Sequence, residues 1–158
     1  MPDRVAREIM VPVSKYAAVN ENDSLKHAIQ VLKDSLPSGF RTLIVLDNEG
    51  NLAGFLTTRT LLKALGVYGV EEDIWTTDNW GTFFMRIEKE RLKKVKVKKI
   101  MRPVVKVFVN EDTPVQEVAR VILTNQINHI PVLDKEKKAV GIIRTIDILD
   151  VLAGFLED

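Results

Sequence analysis

Apolar residues along the chain fall into two nearly identical series of spacings. Leu25, Ala28, Ile29 and Leu32 recur at i, i+3, i+4 and i+7, and Val115, Val118, Ala119 and Ile122 repeat that stripe 90 positions later. A stripe of this kind is one face of an amphipathic helix, so the spacing predicts a helix in each place. The leads match as well: Val19-Asn20-Glu21 precedes the first helix and Val109-Asn110-Glu111 the second. Asp23 and Ser24 offer N-caps to the first. In the second, Thr113 can cap, Pro114 suits the first helical position and Gln116 completes a capping box. A short apolar run follows each helix, then a polar turn and another apolar run. These are Thr42 to Leu46, Asp47 to Asn51 and Leu52 to Leu56 in the first copy, and His129 to Leu133, Asp134 to Lys138 and Ala139 to Ile143 in the second. β-branched runs closed by a polar turn read as β-hairpins. Each hairpin runs into a further helix, carrying Leu61, Leu62 and Leu65 and ending at Gly66, or carrying Ile148, Leu149, Leu152 and Phe155.

The chain is therefore an internal repeat. Ile9-Met10-Val11-Pro12 opens one copy and Ile100-Met101-Arg102-Pro103 the other, with Ser35-Leu36-Pro37-Ser38-Gly39 as an insertion in the first. Each copy reads strand, helix, strand, strand, helix over about 60 residues, a size at which a single core is marginal, so the two copies are expected to pack together. The boundaries fall at 1–66 for the first unit, 67–97 for a linker and 98–158 for the second unit. The linker does not repeat. It carries Trp75, Trp80, Phe83 and Phe84, read as packing residues, and a short helix is expected around Met85 to Lys94. From Arg86 to Arg102, nine Lys or Arg face only Glu88 and Glu90. The run reads first as a solvated helix face, with a phosphate or nucleic-acid patch as the alternative.

Composition narrows the classes. Of 158 residues, 46% are hydrophobic and 28% charged, enough apolar material for a core and too much for a disordered chain. A formal net charge of +1 gives no global field towards nucleic acid or an acidic membrane. The absence of cysteine removes disulfides, thiolate zinc sites and a thiol nucleophile. The longest uncharged stretch, Val121 to Leu133, is far below the ~20 apolar residues of a spanning helix. Asp3, Arg4, Arg7 and Glu8 are unlike a signal peptide, so a cytoplasmic protein is expected. No paired carboxylates, Ser-His-Asp set or phosphate-binding glycine loop stands at usable spacing, so no enzyme is expected. His129 has only His27 as a second histidine, which leaves no metal site.

The paired Ile-Met-x-Pro openings, the matched helix starts, Asn128-His129-Ile130-Pro131-Val132-Leu133-Asp134 and two Gly-led strand-to-helix corners together resemble a tandem pair of CBS (cystathionine β-synthase) domains, a Bateman module. The resemblance implies an α+β fold of two β-α-β-β-α units packed sheet to sheet with pseudo-twofold symmetry. It also implies clefts that hold adenosine-containing ligands. The family corner is Gly, two apolar residues, Thr or Ser, two more, then Asp, whose carboxylate accepts from both ribose hydroxyls. The second copy reads Gly141-Ile142-Ile143-Arg144-Thr145-Ile146-Asp147, keeping the Asp and replacing the Thr by Arg144. The first reads Gly54-Phe55-Leu56-Thr57-Thr58-Arg59-Thr60, keeping Thr57 and replacing the Asp by Thr60. Asp147 is open to two compatible readings, ribose acceptor and first-turn helix acid. Arg144 either holds a phosphate or fills its place. The candidate nucleotide contacts are Asp147, Arg144, Thr145, Met101, Pro103, His129 and Pro131, with Thr57, Thr60, Met10 and Pro12; Met10 and Met101 are placed by the resemblance against adenine and are otherwise core residues.

The function this implies is a stand-alone regulatory module that binds an adenine nucleotide as a regulatory ligand, AMP first and then ADP, ATP or S-adenosylmethionine, with no cofactor required. Its output goes to an effector protein, and a homodimer of paired modules is expected through the Leu61-Leu62-Leu65 and Ile148-Leu149-Leu152 helices. The alternatives are a ligand-free structural or oligomerisation subunit, and nucleic-acid binding through the basic linker.

Overall fold

The computed structural model describes residues 4–68, 87–103 and 107–157; Trp75, Trp80, Phe83, Phe84 and the first two residues of the expected 85–94 helix lie outside them. Two units emerge, Tyr16–Val104 and a second made of Met1–Lys15 with Val105–Asp158. Each is α+β with its own four-stranded sheet. Among the described residues no helix is long and apolar enough to cross a membrane.

In the unit Tyr16–Val104, β2 (Ala18–Asn20) leads into α2 (Leu25–Ser35), which crosses over to β3 (Thr42–Leu46), parallel to β2. A helical crossover is what joins parallel neighbours. Ser24 caps α2 by accepting from the His27 N–H at 3.1 Å, and the striped face turns inward, with Leu25 and Ala28 fully covered and Ile29 and Leu32 partly so. β3 turns through Asp47–Asn51 into β4 (Leu52–Thr57), which continues directly into α3 (Thr58–Tyr68). Asp47 Oδ1 holds that turn by accepting from the Glu49 and Asn51 N–H groups, both at 2.9 Å. Helix α3 runs through Gly66, where the sequence places its end, to Tyr68; Gly66 is buried inside it. The basic stretch forms α4 (Lys89–Lys94) and α5 (Val97–Ile100), which turn Leu92 and Val97 inward and their lysines to solvent. Glu88 pairs with Arg91 at 2.8 Å and Glu90 with Lys93 at 3.0 Å, and the Lys93 ammonium holds the Glu90 carboxyl below its usual range.

The unit built from both ends of the chain repeats this plan. β6 (Val109–Asn110), α6 (Val115–Asn125), β7 (His129–Leu133), β8 (Ala139–Arg144) and α7 (Thr145–Leu156) follow in the same order. Two details depart from the expectation. Helix α6 starts at Val115 with Pro114 as its cap residue, and Thr113 instead accepts from the Asn110 N–H at 3.0 Å, closing the preceding turn. Strand β6 is also one residue shorter than β2. In the first unit Ile44 donates its N–H to the Ala17 carbonyl at 3.0 Å, but Pro131 stands at the matching position and has no N–H to donate, so the parallel ladder begins only at Val109↔Val132.

The larger difference concerns the openings. Residues 6–12 and 97–103 each form a helical turn before a two-residue strand, α1 (Ala6–Ile9) with β1 (Val11–Pro12) and α5 with β5 (Arg102–Pro103). The turns were not expected, because four residues are too few to display a helical period. Nor does either opening join the sheet of the repeat that follows it. β1 pairs antiparallel with β8, Pro12 opposite Gly141, and β5 pairs with β4, Pro103 opposite Gly54. Both are edge strands, where proline costs no ladder hydrogen bond. Each opening is therefore exchanged into the other repeat, which is why the compact units are Tyr16–Val104 and Met1–Lys15 with Val105–Asp158.

The same three backbone bonds seat each opening. Ala6 donates to Thr113 O at 2.8 Å, Arg7 to Glu111 O at 3.0 Å, and Val115 to Arg4 O at 3.0 Å; Val97 donates to Asp23 O, Lys98 to Glu21 O and Leu25 to Val95 O, all at 2.8 Å. The glycines opposite the prolines leave room for the incoming methionines. A Cβ on Gly54 would lie 2.5 Å from the Arg102 carbonyl oxygen and 2.8 Å from Met101 Sδ, whereas the three atoms nearest to one on Gly141 all belong to the Met10 side chain, Cγ at 2.7 Å among them. Backbone yields less readily than a flexible side chain. Gly54→Ala is thus expected to cost about 1–3 kcal/mol through overpacking, and Gly141→Ala distinctly less, as read from urea unfolding midpoints. Equal, negligible shifts for the two would mean that the exchanged openings do not press on β4 and β8.

Candidate functional site

In the second repeat, β8 passes into α7 with no intervening loop. Arg144 is the last strand residue and the N-cap, with extended backbone (φ −101°, ψ 159°), and Asp147 is the third residue of the helix. The free N–H groups at a helix start favour an acid there, and the Asp147 side chain folds back to take one. Its Oδ2 accepts from the Arg144 backbone N–H at 2.8 Å and from Arg144 Nε at 3.0 Å, while Oδ1 accepts from Arg144 Nη2 at 2.7 Å. The side chains retain 34% exposure at Arg144 and 14% at Asp147, so the carboxylate lies beneath the guanidinium and the guanidinium is reachable from solvent. Thr145 donates its N–H to the Asn128 carbonyl at 3.2 Å, which ties the corner to the start of β7. His129 stands opposite Arg144 in the ladder and Pro131 opposite Ile142. Val11 and Pro12 pair with Ile142 and Gly141 on the other side of β8, and Met10 packs into this unit's core.

The first-repeat corner has the same backbone and different chemistry. Thr57 ends β4 and Thr60 lies in the first turn of α3; their hydroxyls are 2.9 Å apart, and Thr57 Oγ1 also accepts from the Thr60 N–H at 3.1 Å. This neutral pair caps α3 and offers no carboxylate. Pro103 lies opposite Gly54, and Met101 packs into the core of this unit.

The eleven candidates thus divide by unit. Met10, Pro12, His129, Pro131, Arg144, Thr145 and Asp147 belong to one, and Thr57, Thr60, Met101 and Pro103 to the other. Chain order alone pairs Met101 with Asp147; the exchange of openings replaces it with Met10. The contact that sequence reasoning did not anticipate is the ion pair between Arg144 and Asp147. Its signal was available, since residues three apart at a helix start face one another. A separate depression on the same unit is lined by Arg7, Glu111, Asp112, Asp134, Lys135 and Glu136 among others, and holds an Arg7–Asp112 ion pair; none of the eleven candidates lines it.

Comparison with known proteins agrees with this layout. The CBS domain family model matches residues 6–67 and again 97–154. A CBS domain-containing protein of Dictyostelium discoideum is 32% identical over 126 residues, covering 80% of this chain and 79% of that protein. The cytosolic domain of the Mg2+ channel MgtE, solved in complex with ATP, superposes with a TM-score of 0.64 at 28% identity, over 96% of this chain and 49% of that one. CBSX2 in complex with AMP superposes with a TM-score of 0.65 at 19% identity, over 97% of this chain and 98% of that one, a likeness of fold. The family model thus matches twice, and each matched segment contains one of the two strand-to-helix corners: the chain belongs to the CBS domain family, as a tandem pair.

Proposed function

We propose that the chain is a non-catalytic regulatory module that binds one adenosine-containing ligand at the second-repeat corner, AMP ahead of ADP, ATP and S-adenosylmethionine. The observation that carries this reading is the Asp147 carboxylate, held at the start of α7 on a fixed strand-to-helix corner. A carboxylate there can accept from both hydroxyls of a ribose, and charge-assisted bonds to a vicinal diol are specific as well as strong. The solved relatives that hold ATP and AMP support the ligand class. The Thr57–Thr60 corner has two hydroxyls already bonded to one another and no charge, which supports a single site per chain. Occupancy would act by differential affinity: a partner protein that prefers one arrangement of the module sees that arrangement enriched when ligand binds.

Association with a second copy belongs to the same proposal. Helix α7 leaves Ile146, Leu149, Leu152, Phe155 and Leu156 exposed, Leu149 by 59% and Leu156 by 83%, and α3 leaves Leu62 and Val67 exposed. Contiguous apolar surface on a helix of a soluble unit is a docking face, and a second copy of the chain presents an identical one.

Two measurements test these statements. Calorimetry of AMP is expected to return one site per chain, and Asp147→Ala to weaken AMP by roughly ten- to a hundredfold, the worth of a lost charge-assisted bond; unaltered affinity, or two equal sites, contradicts the assignment. In sedimentation velocity at micromolar concentration a dimer is expected, and Leu149→Glu with Leu152→Glu should convert it to monomer. A monomeric parent chain removes the dimer from the proposal.

A further inference from the structure

We propose that Arg144 makes the second-repeat corner selective for phosphate-bearing ligands, by occupying the Asp147 carboxylate until a phosphate draws the guanidinium away. This rests on the placement of ribose at Asp147 proposed above.

The argument is one of acceptor capacity. An ionised carboxylate offers about four lone-pair sites. Three are filled by Arg144 alone: its backbone N–H and Nε on Oδ2, and Nη2 on Oδ1. A vicinal diol needs two. Ribose therefore cannot be held in the two-bond mode unless Arg144 gives up at least one of its bonds. The backbone N–H is held in place by the helix start, so the bond surrendered is one of the two from the guanidinium. A ligand without phosphate must break that contact uncompensated. A ligand with phosphate offers the planar fork a second anion of the geometry it fits best, and the guanidinium, being the more exposed partner, is the group such an anion meets first. Phosphate capture and ribose capture are then positively coupled through one side chain. Phosphate-bearing adenosine ligands are favoured over adenosine. S-adenosylmethionine, which has a sulfonium and no phosphate, is disfavoured on the same ground. The first-repeat corner supplies the contrast within one chain: Thr57, at the position of Arg144, caps its helix through a hydroxyl and holds no carboxylate shut.

That contrast also supplies the variant for the test. Arg144→Thr installs the residue that already serves as cap in the first repeat, so the fold is expected to survive, and thermal unfolding checks that it does. The full chain, Arg144→Thr and Asp147→Ala are each titrated calorimetrically with AMP and with adenosine. In the parent chain AMP is expected to bind about a hundredfold more tightly than adenosine. In Arg144→Thr AMP should weaken by roughly tenfold, for the lost phosphate contact, while adenosine strengthens by up to about tenfold because the carboxylate is released. The preference for phosphate then collapses to near unity. Equal shifts of AMP and adenosine in Arg144→Thr, in either direction, overturn the proposal while leaving nucleotide binding at this corner intact. Weaker adenosine in Arg144→Thr does the same, since it makes Arg144 a supporter of the ribose site. If neither ligand binds the parent chain or either variant, the ligand reading itself falls and the selectivity falls with it.

Discussion

The exchange of the two opening segments is the contact on which the rest of the structure depends. A unit of roughly 60 residues buries too little surface to be comfortably stable, and each repeat here leaves a β-strand edge and a loop carbonyl cluster uncovered. The opening of the other repeat fills both. Its helical turn donates two backbone hydrogen bonds to the loop before the long helix and a residue ahead of the turn accepts a third, its first helical residue enters the core with no exposed surface, as Ala6 and Val97 do, and its proline-bearing strand closes the sheet. Because the same three bonds recur in both units, the exchange is a property of the repeated sequence and not an accident of one end.

This also decides what the corners are made of. Residues near the start of the chain and near its end are brought onto one sheet, so Met10 and Pro12 flank the strand that delivers Asp147. Gly141 and Gly54 are small for a reason that lies about 130 and 50 residues away in sequence, in the methionines that cross over them. An alanine at either position removes no contact and adds one that has no room.

Much of the architecture was legible in the residues. The two helical stripes, the Asp-led hairpin turns and the Gly-led corners all report local geometry, and local geometry is what a periodic pattern encodes. The exchange was not legible, because Ile9-Met10-Val11-Pro12 and Ile100-Met101-Arg102-Pro103 are so alike that neither carries a mark of which sheet it joins. Register details set by a missing donor were equally hidden. Pro131 reads as a strand residue from its neighbours, yet it stops the ladder with β6 one residue early. Thr113 fits a helix cap by type and spacing, but the preceding turn captures its hydroxyl first. At the site, the corner pattern marks Asp147 and Thr60 as an asymmetric pair, and the three-residue spacing from Arg144 to Asp147 already offers their ion pair, which a reading of Arg144 as phosphate holder or plug passes over.

The two corners show how one backbone can either merge or separate the helix cap and the side-chain contact. At Thr57 and Thr60 a single hydroxyl, that of Thr57, makes both the cap and the side-chain contact, so it cannot move without loosening α3. At Arg144 and Asp147 they are distinct. The backbone N–H of Arg144 bonds Oδ2 and caps α7, a contact worth about 1 kcal/mol, whereas the guanidinium adds a partly exposed ion pair of the kind that contributes only about 0–1 kcal/mol. The backbone bond does not depend on where the guanidinium lies. The cap and the ion pair at this corner are thus separate bonds on one carboxylate: the backbone N–H supplies one donor, and the guanidinium, the more exposed partner, supplies one to each oxygen.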